Sequence, residues 1–148
     1  MPRASVKRLI ECDKKQLINL VLDIEKYPVF VPYCIDAKVY EKKNIGDFVN
    51  IIADLTIGKG PLKDTYTSDI KFNKKNNSIY VTNIDGPLKH LDNKWTFEDH
   101  KEGTEIYFDV DFEIKNKFLN ILMTTSFQYG LDKIADAFQE RANKLFNK

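Results

Sequence analysis

A chain of 148 residues suits one domain, long enough to bury roughly 68–70% of the surface its unfolded form would expose. Lys and Arg number 23 against 22 Asp and Glu, so the net charge of +1 supplies no general attraction to nucleic acid, and such a role needs a local patch. A charged fraction of 30% beside a hydrophobic fraction of 43% speaks against disorder, and two cysteines, Cys12 and Cys34, cannot build a disulfide framework. Reduced thiols are the default. No apolar window approaches ~18 residues, so the expectation is a soluble cytoplasmic protein that at most touches the inner membrane from outside.

The first element is a strand over Arg3–Ile10, with Ala4, Val6 and Ile10 on one face and Arg8 intruding there. Asp13 reads as the N-cap of a helix whose inner side carries Leu17, Ile18, Leu20, Val21 and Ile24. The next stretch, Asp23-Ile24-Glu25-Lys26-Tyr27-Pro28-Val29-Phe30-Val31-Pro32-Tyr33-Cys34, holds two prolines and three aromatics. Each proline biases the residue before it, Tyr27 or Val31, away from helical angles, so the helix stops before Pro28. Tyr27, Phe30 and Tyr33 recur every third residue, which in a tight helical turn brings them to one side and caps a hydrophobic interior.

From Cys34 the apolar period changes to two. Turn signals at Asn44–Asp47, Gly58–Pro61, Lys74–Asn77, Asp85–Pro87 and Lys101–Gly103 cut the region into antiparallel strands. The expected inner faces are Ile35, Ala37, Val39; then Val49, Ile51, Ala53, Leu55, Ile57; then Leu62, Tyr66, Ile70, Phe72; then Leu91, Trp95, Phe97. The last strand alternates Ile106, Phe108, Val110, Phe112 and Ile114 against polar neighbours. After Lys115, with Asn116 as N-cap, a long helix runs to about Phe146. Its inward stripe is Phe127, Leu131, Ile134, Phe138, Ala142 and Leu145. Gly130 within that stripe marks close backbone approach, a kink, or simple tolerance. The order describes an α+β fold: a curved antiparallel sheet of about seven strands around one C-terminal helix, with room for a cavity.

Chemistry is sparse. His90, His100, Cys12 and Cys34 lie far apart without metal-ligand spacing, and no nucleophile elbow is present. Cys34 reads as a small apolar side chain. Gly58 and Gly60 are explained by a hairpin turn. The lysines at 38, 42, 43, 71, 74 and 75 form a basic edge or, on the blander account, a solvated surface. Arg8, Asp64, Ser68 and Asn93 are polar on inner faces, so each needs a partner, a ligand or a strand-end position. The apolar turn Phe118–Met123 beside Lys115 and Lys117 fits either burial under loops or transient membrane contact through Phe118, Leu119 and Leu122.

The run Asp23-x-Glu25-x-Tyr27-Pro28-x-Phe30-x-Pro32-Tyr33-Cys34 resembles a motif of the coenzyme-Q-binding START-domain family, part of the polyketide cyclase/dehydrase-like superfamily, which also includes the ribosome association toxin RatA. Asp85-Gly86-Pro87-Leu88-Lys89-His90-Leu91-x-Asn93-x-Trp95-x-Phe97 is similar to a second family motif, and Phe112-Glu113 and Ala137-Phe138-x-x-Arg141-Ala142 extend the match over nearly the whole chain. Departures at Gly58-Lys59 and Met123-Thr124-Thr125 fall on the expected cavity mouth.

The resemblance implies a helix-grip fold (START/Bet v 1-like), a single START-like lipid-binding domain over 1–148, and two functions. The first is non-enzymatic binding of ubiquinone or a related isoprenoid lipid, supporting ubiquinone synthesis or delivery and respiratory electron transport. The alternative is a toxin that binds the large ribosomal subunit and blocks subunit association. The neutral charge balance favours the carrier. An enzymatic cyclase reading ranks third, because no acid–base pair stands out on the inner faces. No resident cofactor or metal, and no direct DNA binding, is expected. Strand parity makes Phe30, Tyr33, Trp95, Phe97, Phe108, Phe112, Met123, Phe127 and Leu131 the expected lining, with Tyr66 or Asn93 near the ligand's polar head.

Overall fold

The computed structural model describes residues 3–59, 62–86, 88–115 and 117–146, and leaves out the side chains of 59, 62 and 117–127. The N-cap Asn116, the turn prolines Pro61 and Pro87, and the side chains of Leu62, Phe118, Leu119, Leu122, Met123 and Phe127 therefore lie outside the described residues. Strand β1 covers Arg3–Ile10, helix α1 Lys14–Leu22, helix α2 Tyr27–Phe30, and strands β2 to β7 cover Cys34–Ile45, Phe48–Lys59, Leu62–Asn73, Ser78–Asp85, Leu88–His100 and Gly103–Ile114. The long helix α3 is Lys117–Phe146. The described strands form one antiparallel sheet in the order β1-β7-β6-β5-β4-β3-β2, a meander closed by β1 against the last strand.

Asp13 caps α1 as its sequence position requires, its carboxylate accepting from the Lys15 amide at 3.1 Å. Leu17, Ile18, Leu20 and Val21 are buried beneath it. A 3-10 turn at Ile24–Lys26 follows, then α2. Tyr27 corrects the expectation drawn from Pro28: its φ of −54° and ψ of −40° are helical. Pro28 sits in the first turn of α2, where a missing amide costs no intrahelical bond. Pro32 acts as expected, with Val31 extended at ψ 126°. Tyr33 then takes a left-handed φ of 66°, and its carbonyl accepts from the Gly58 amide at 2.9 Å. The three aromatics consequently part company. Tyr27 and Phe30 turn inward, and Tyr33 stays 53% exposed.

Two register shifts break the alternation of β2, one between Cys34 and Asp36 and one between Val39 and Glu41. The first puts Cys34 opposite Ile57 and leaves Ile35 46% exposed, correcting its expected inward place. The second carries Lys42 to the position facing Ile51.

The core forms where β6, β7 and the second half of α3 meet. Trp95 stacks on Phe108 directly across the strand pair, with ring centroids 4.4 Å apart. Phe138 meets Trp95, Phe30 and Tyr27 edge to face at 5.4, 5.1 and 5.5 Å. The observed stripe of α3 is Leu131, Ala135, Phe138 and Ala142, all buried, with Ile134 at its margin. Leu145, expected inward, is 40% exposed, because the stripe steps four residues from Ala142 to Phe146, which packs against the core in its place. A methyl group on Gly130 meets nothing within 4 Å, so close approach does not explain that glycine.

Candidate functional site

The inner face of the sheet changes character along its strands. Toward the hairpin ends Val49, Ile51, Ala53, Ile70, Ile79, Trp95, Phe97, Ile106 and Phe108 are buried. Toward the opposite end, Leu55, Tyr66, Val81, Leu91 and Val110 are only half-buried and Ile57 is exposed, although Phe112, across from Leu91, is buried. The packed end is where α1 and the second half of α3 meet β6 and β7. The described inner wall is thus packed at one end and half-open at the other.

Polar groups stand where that change occurs. Tyr66 and Ser68 occupy neighbouring inward positions on β4, and Asn83 on β5 lies opposite Ser68. Ser68 is 1% exposed, and its hydroxyl has no hydrogen-bond partner among the described residues. Burial, followed by the nearby Cys34, pushes the Tyr66 phenol up to about 12. Burial likewise pushes the Cys34 thiol up to about 11 and holds the Tyr27 phenol far above its ordinary value. The Tyr27 hydroxyl donates to the Val21 carbonyl, which ties the inward aromatics to α1. Asn83 donates to the Leu88 carbonyl at 3.1 Å. Sequence reasoning does not single out Asn83, although the period-two run Ile79, Val81, Asn83 carries its signal.

The other inward polar residues find ordinary explanations. Asn93 accepts from the Trp95 indole at 2.8 Å and donates to the Asp109 carbonyl at 3.1 Å. Arg8 pairs with Asp136 of α3 at 2.5 Å and donates to Gln139 at 3.2 Å, rather than meeting Asp64. Asp64 is exposed near the start of β4, where its carboxylate accepts from the Thr65 amide.

Of the sequence-derived lining, Trp95, Phe97 and Phe108 pack together and with Phe138, and Phe30 joins them from α2. Phe112 and Leu131 are buried, Asn93 and Tyr66 are half-buried, and Tyr33 faces outward. The side chains of Met123 and Phe127 lie outside the described residues. Among the described residues there is no group of three or more His, Cys, Asp or Glu side chains placed to hold a metal, and no helix long and apolar enough to cross a membrane.

An antiparallel sheet wrapped on one long C-terminal helix, apolar within and half-open at one end, defines the helix-grip class of START-like proteins. The chain belongs to the polyketide cyclase/dehydrase and lipid transport family, whose model matches residues 10–139. It is 30% identical over 141 residues to the ribosome association toxin RatA of Rickettsia prowazekii, covering 93% of this chain and 94% of that one. It is 28% identical over 134 residues to the mitochondrial coenzyme Q-binding protein COQ10 of Dictyostelium discoideum, covering 88% of this chain and 64% of that one. The solution structure of an 18 kDa protein from Caulobacter crescentus superposes with a TM-score of 0.82 at 26% identity, over 100% of both chains.

Proposed function

We propose that this protein associates with the ribosome, acting without catalysis in the cytoplasm by binding the large subunit and opposing subunit joining. What carries this reading is the likeness to relatives named as ribosome association toxins along nearly their full length: 94% of the Rickettsia protein and 90% of one from Escherichia coli. The coenzyme Q-binding relative is matched over 64% of its length. The balanced net charge, which in the sequence favours the carrier, is a sum over the whole chain and does not weigh against a local contact surface. The polar groups on the described inner wall, Tyr66, Ser68, Asn83 and Asn93, are hydroxyls and amides, suited to holding a ligand rather than to moving protons at neutral pH.

The second reading, a carrier of ubiquinone or another isoprenoid lipid, is favoured by the half-open inner wall. Burial of apolar area there stabilises a bound tail by roughly 25 cal/mol per Å² before association costs. Membrane contact through Phe118, Leu119 and Leu122 belongs to this reading. Sucrose-gradient sedimentation of the tagged protein with dissociated ribosomes, beside organic extraction of the purified protein, separates the two. Co-migration with the large subunit supports ribosome association. A protein that stays at the top of the gradient and yields one quinone per chain overturns it in favour of the carrier.

A further inference from the structure

The strand register builds a basic stripe from lysines scattered along the sequence. On the outer face, away from α3, Lys43 lies opposite Asn50, Asn50 opposite Lys71, Lys71 opposite Tyr80, and Tyr80 opposite Lys94. One lysine therefore stands on every second strand from β2 to β6, at intervals of roughly 9–10 Å. Lys43 is held by Glu41 at 2.6 Å, whereas Lys71 and Lys94 have no carboxylate partner among the described residues. Apolar and aromatic side chains sit in and beside the stripe. Tyr80 is 43% exposed within it, and Phe48 and Tyr107 are 45% and 44% exposed in the next row toward the hairpin ends. Lys74 and Lys75 extend the positive charge into the β4–β5 turn, which is tied to the β2–β3 turn by the Lys74 amide donating to the Asp47 carbonyl at 2.8 Å.

The face is divided by charge. The row on the other side of the stripe carries Asp69, Asp92 and Asp111, and two of these are occupied by it: Asn50 donates to Asp69 and Tyr80 to Asp92, each at 2.5 Å. Lys75 also pairs with Asp47 at 3.4 Å. On β6 and β7 the same face also carries Glu98 opposite Glu105, and Asp109 opposite Lys94. A polyanion is thus drawn to the β2–β5 part of the hairpin half and repelled from the remainder, which gives its path a direction. Spaced ammonium groups with exposed aromatic rings on an open sheet face are the means by which sheets hold unpaired RNA, through phosphate contacts and base stacking.

We propose that the Lys43–Lys71–Lys94 face, with Tyr80, Phe48 and Tyr107, binds an unpaired stretch or loop of ribosomal RNA. The proposal rests on the ribosome-association reading and names the surface through which it acts. The test uses the full chain and two variants: one with Lys43→Gln, Lys71→Gln and Lys94→Gln, the other with Lys63→Gln, Lys89→Gln and Lys115→Gln as an exposed control. Binding to purified large subunits is measured by sedimentation, and binding to a fluorescein-labelled twelve-nucleotide oligouridine by anisotropy, both between 50 and 200 mM KCl.

The stripe variant should bind each probe at least about tenfold more weakly, and the slope of log affinity against log salt should fall by about 2, at roughly 0.7 per phosphate contact on single strands. The control should stay within about twofold. If both variants bind subunits as tightly as the unaltered chain, or if subunit binding ignores salt as a protein contact would, the stripe is refuted while ribosome association stands. Oligouridine binding that the stripe variant loses, with no binding of the unaltered chain to subunits, refutes the ribosome reading and leaves the RNA surface in place. Failure of the unaltered chain to bind either probe overturns both.

Discussion

Replacing Phe138 by alanine tests the packing that closes the interior. Phe138 is 2% exposed and makes three edge-to-face contacts, with Tyr27, Phe30 and Trp95. Truncating a buried phenylalanine costs about 3–5 kcal/mol, and each aromatic pair accounts for about 0.5–1.5 kcal/mol beyond area burial. A loss of about 4 kcal/mol is expected, because α2 and β6 meet on this ring and cannot collapse together into its volume. With an unfolding entropy of about 2.1 cal/mol/K per residue over 148 residues, that corresponds to about 13 °C in Tm. Urea titration followed by the fluorescence of Trp95, the single tryptophan, gives the loss directly. Leu145→Ala, on a residue 40% exposed, should cost below about 1 kcal/mol. A Phe138→Ala loss under about 1.5 kcal/mol, or one equalled by Leu145→Ala, would mean that the ring contacts of Phe138 do not hold the interior closed.

Gly103 has a φ of 146°, and an added Cβ falls 2.3 Å from the Ile10 carbonyl oxygen, so Gly103→Ala should cost at least about 2 kcal/mol in a urea melt. A neutral result would contradict the close passage of β1 there. Removing the unpartnered hydroxyl in Ser68→Ala should leave stability unchanged or raise it by up to about 1 kcal/mol; a clear loss would mean that the hydroxyl is bonded in the folded protein. Burial first, with Asp13 and Asp36 adding to it, raises the Cys12 and Cys34 thiols from 9.0 to about 11. The folded chain then keeps protons that the unfolded chain releases, so stability is full below about pH 9 and falls as pH rises toward 11. The urea midpoint should drop across that window and drop less in a Cys12→Ala, Cys34→Ala variant; equal slopes would refute the assignment.

Element order was legible because burial imposes its period on residue choice. Val49, Ile51 and Ala53 face inward as their alternation requires, and Asp13 caps α1 with a carboxylate. Features that depend on a partner were not legible. The bulges at Ile35 and Tyr40 exist only relative to β3, so alternation alone placed Ile35 inside. Pro28 bars a continuing helix but also suits a new helix's first turn, and only the chain path decides between these for Tyr27. On α3, Ala135 and Leu145 show the limit of reading a stripe by size: the small residue lies at the contact, and the large one is turned off it while Phe146 packs instead. The polar wall was half legible. Ser68 and Asn93 stand out as polar among apolar neighbours, but that Asn93 serves Trp95 and Ser68 serves nothing among the described residues is a matter of geometry. The lysine stripe was legible in part: Lys43 and Lys71 belong to the basic edge read from the sequence, whereas Lys94 joins them only through the strand register.

Action of the protein on ribosomal subunits can be measured on the subunits themselves. Light scattering of purified small and large subunits, mixed at a magnesium concentration that drives joining, tests it most directly. Protein added before mixing should suppress the joining signal in proportion to its occupancy of the large subunit. Unchanged joining at an excess of protein over subunits would contradict it.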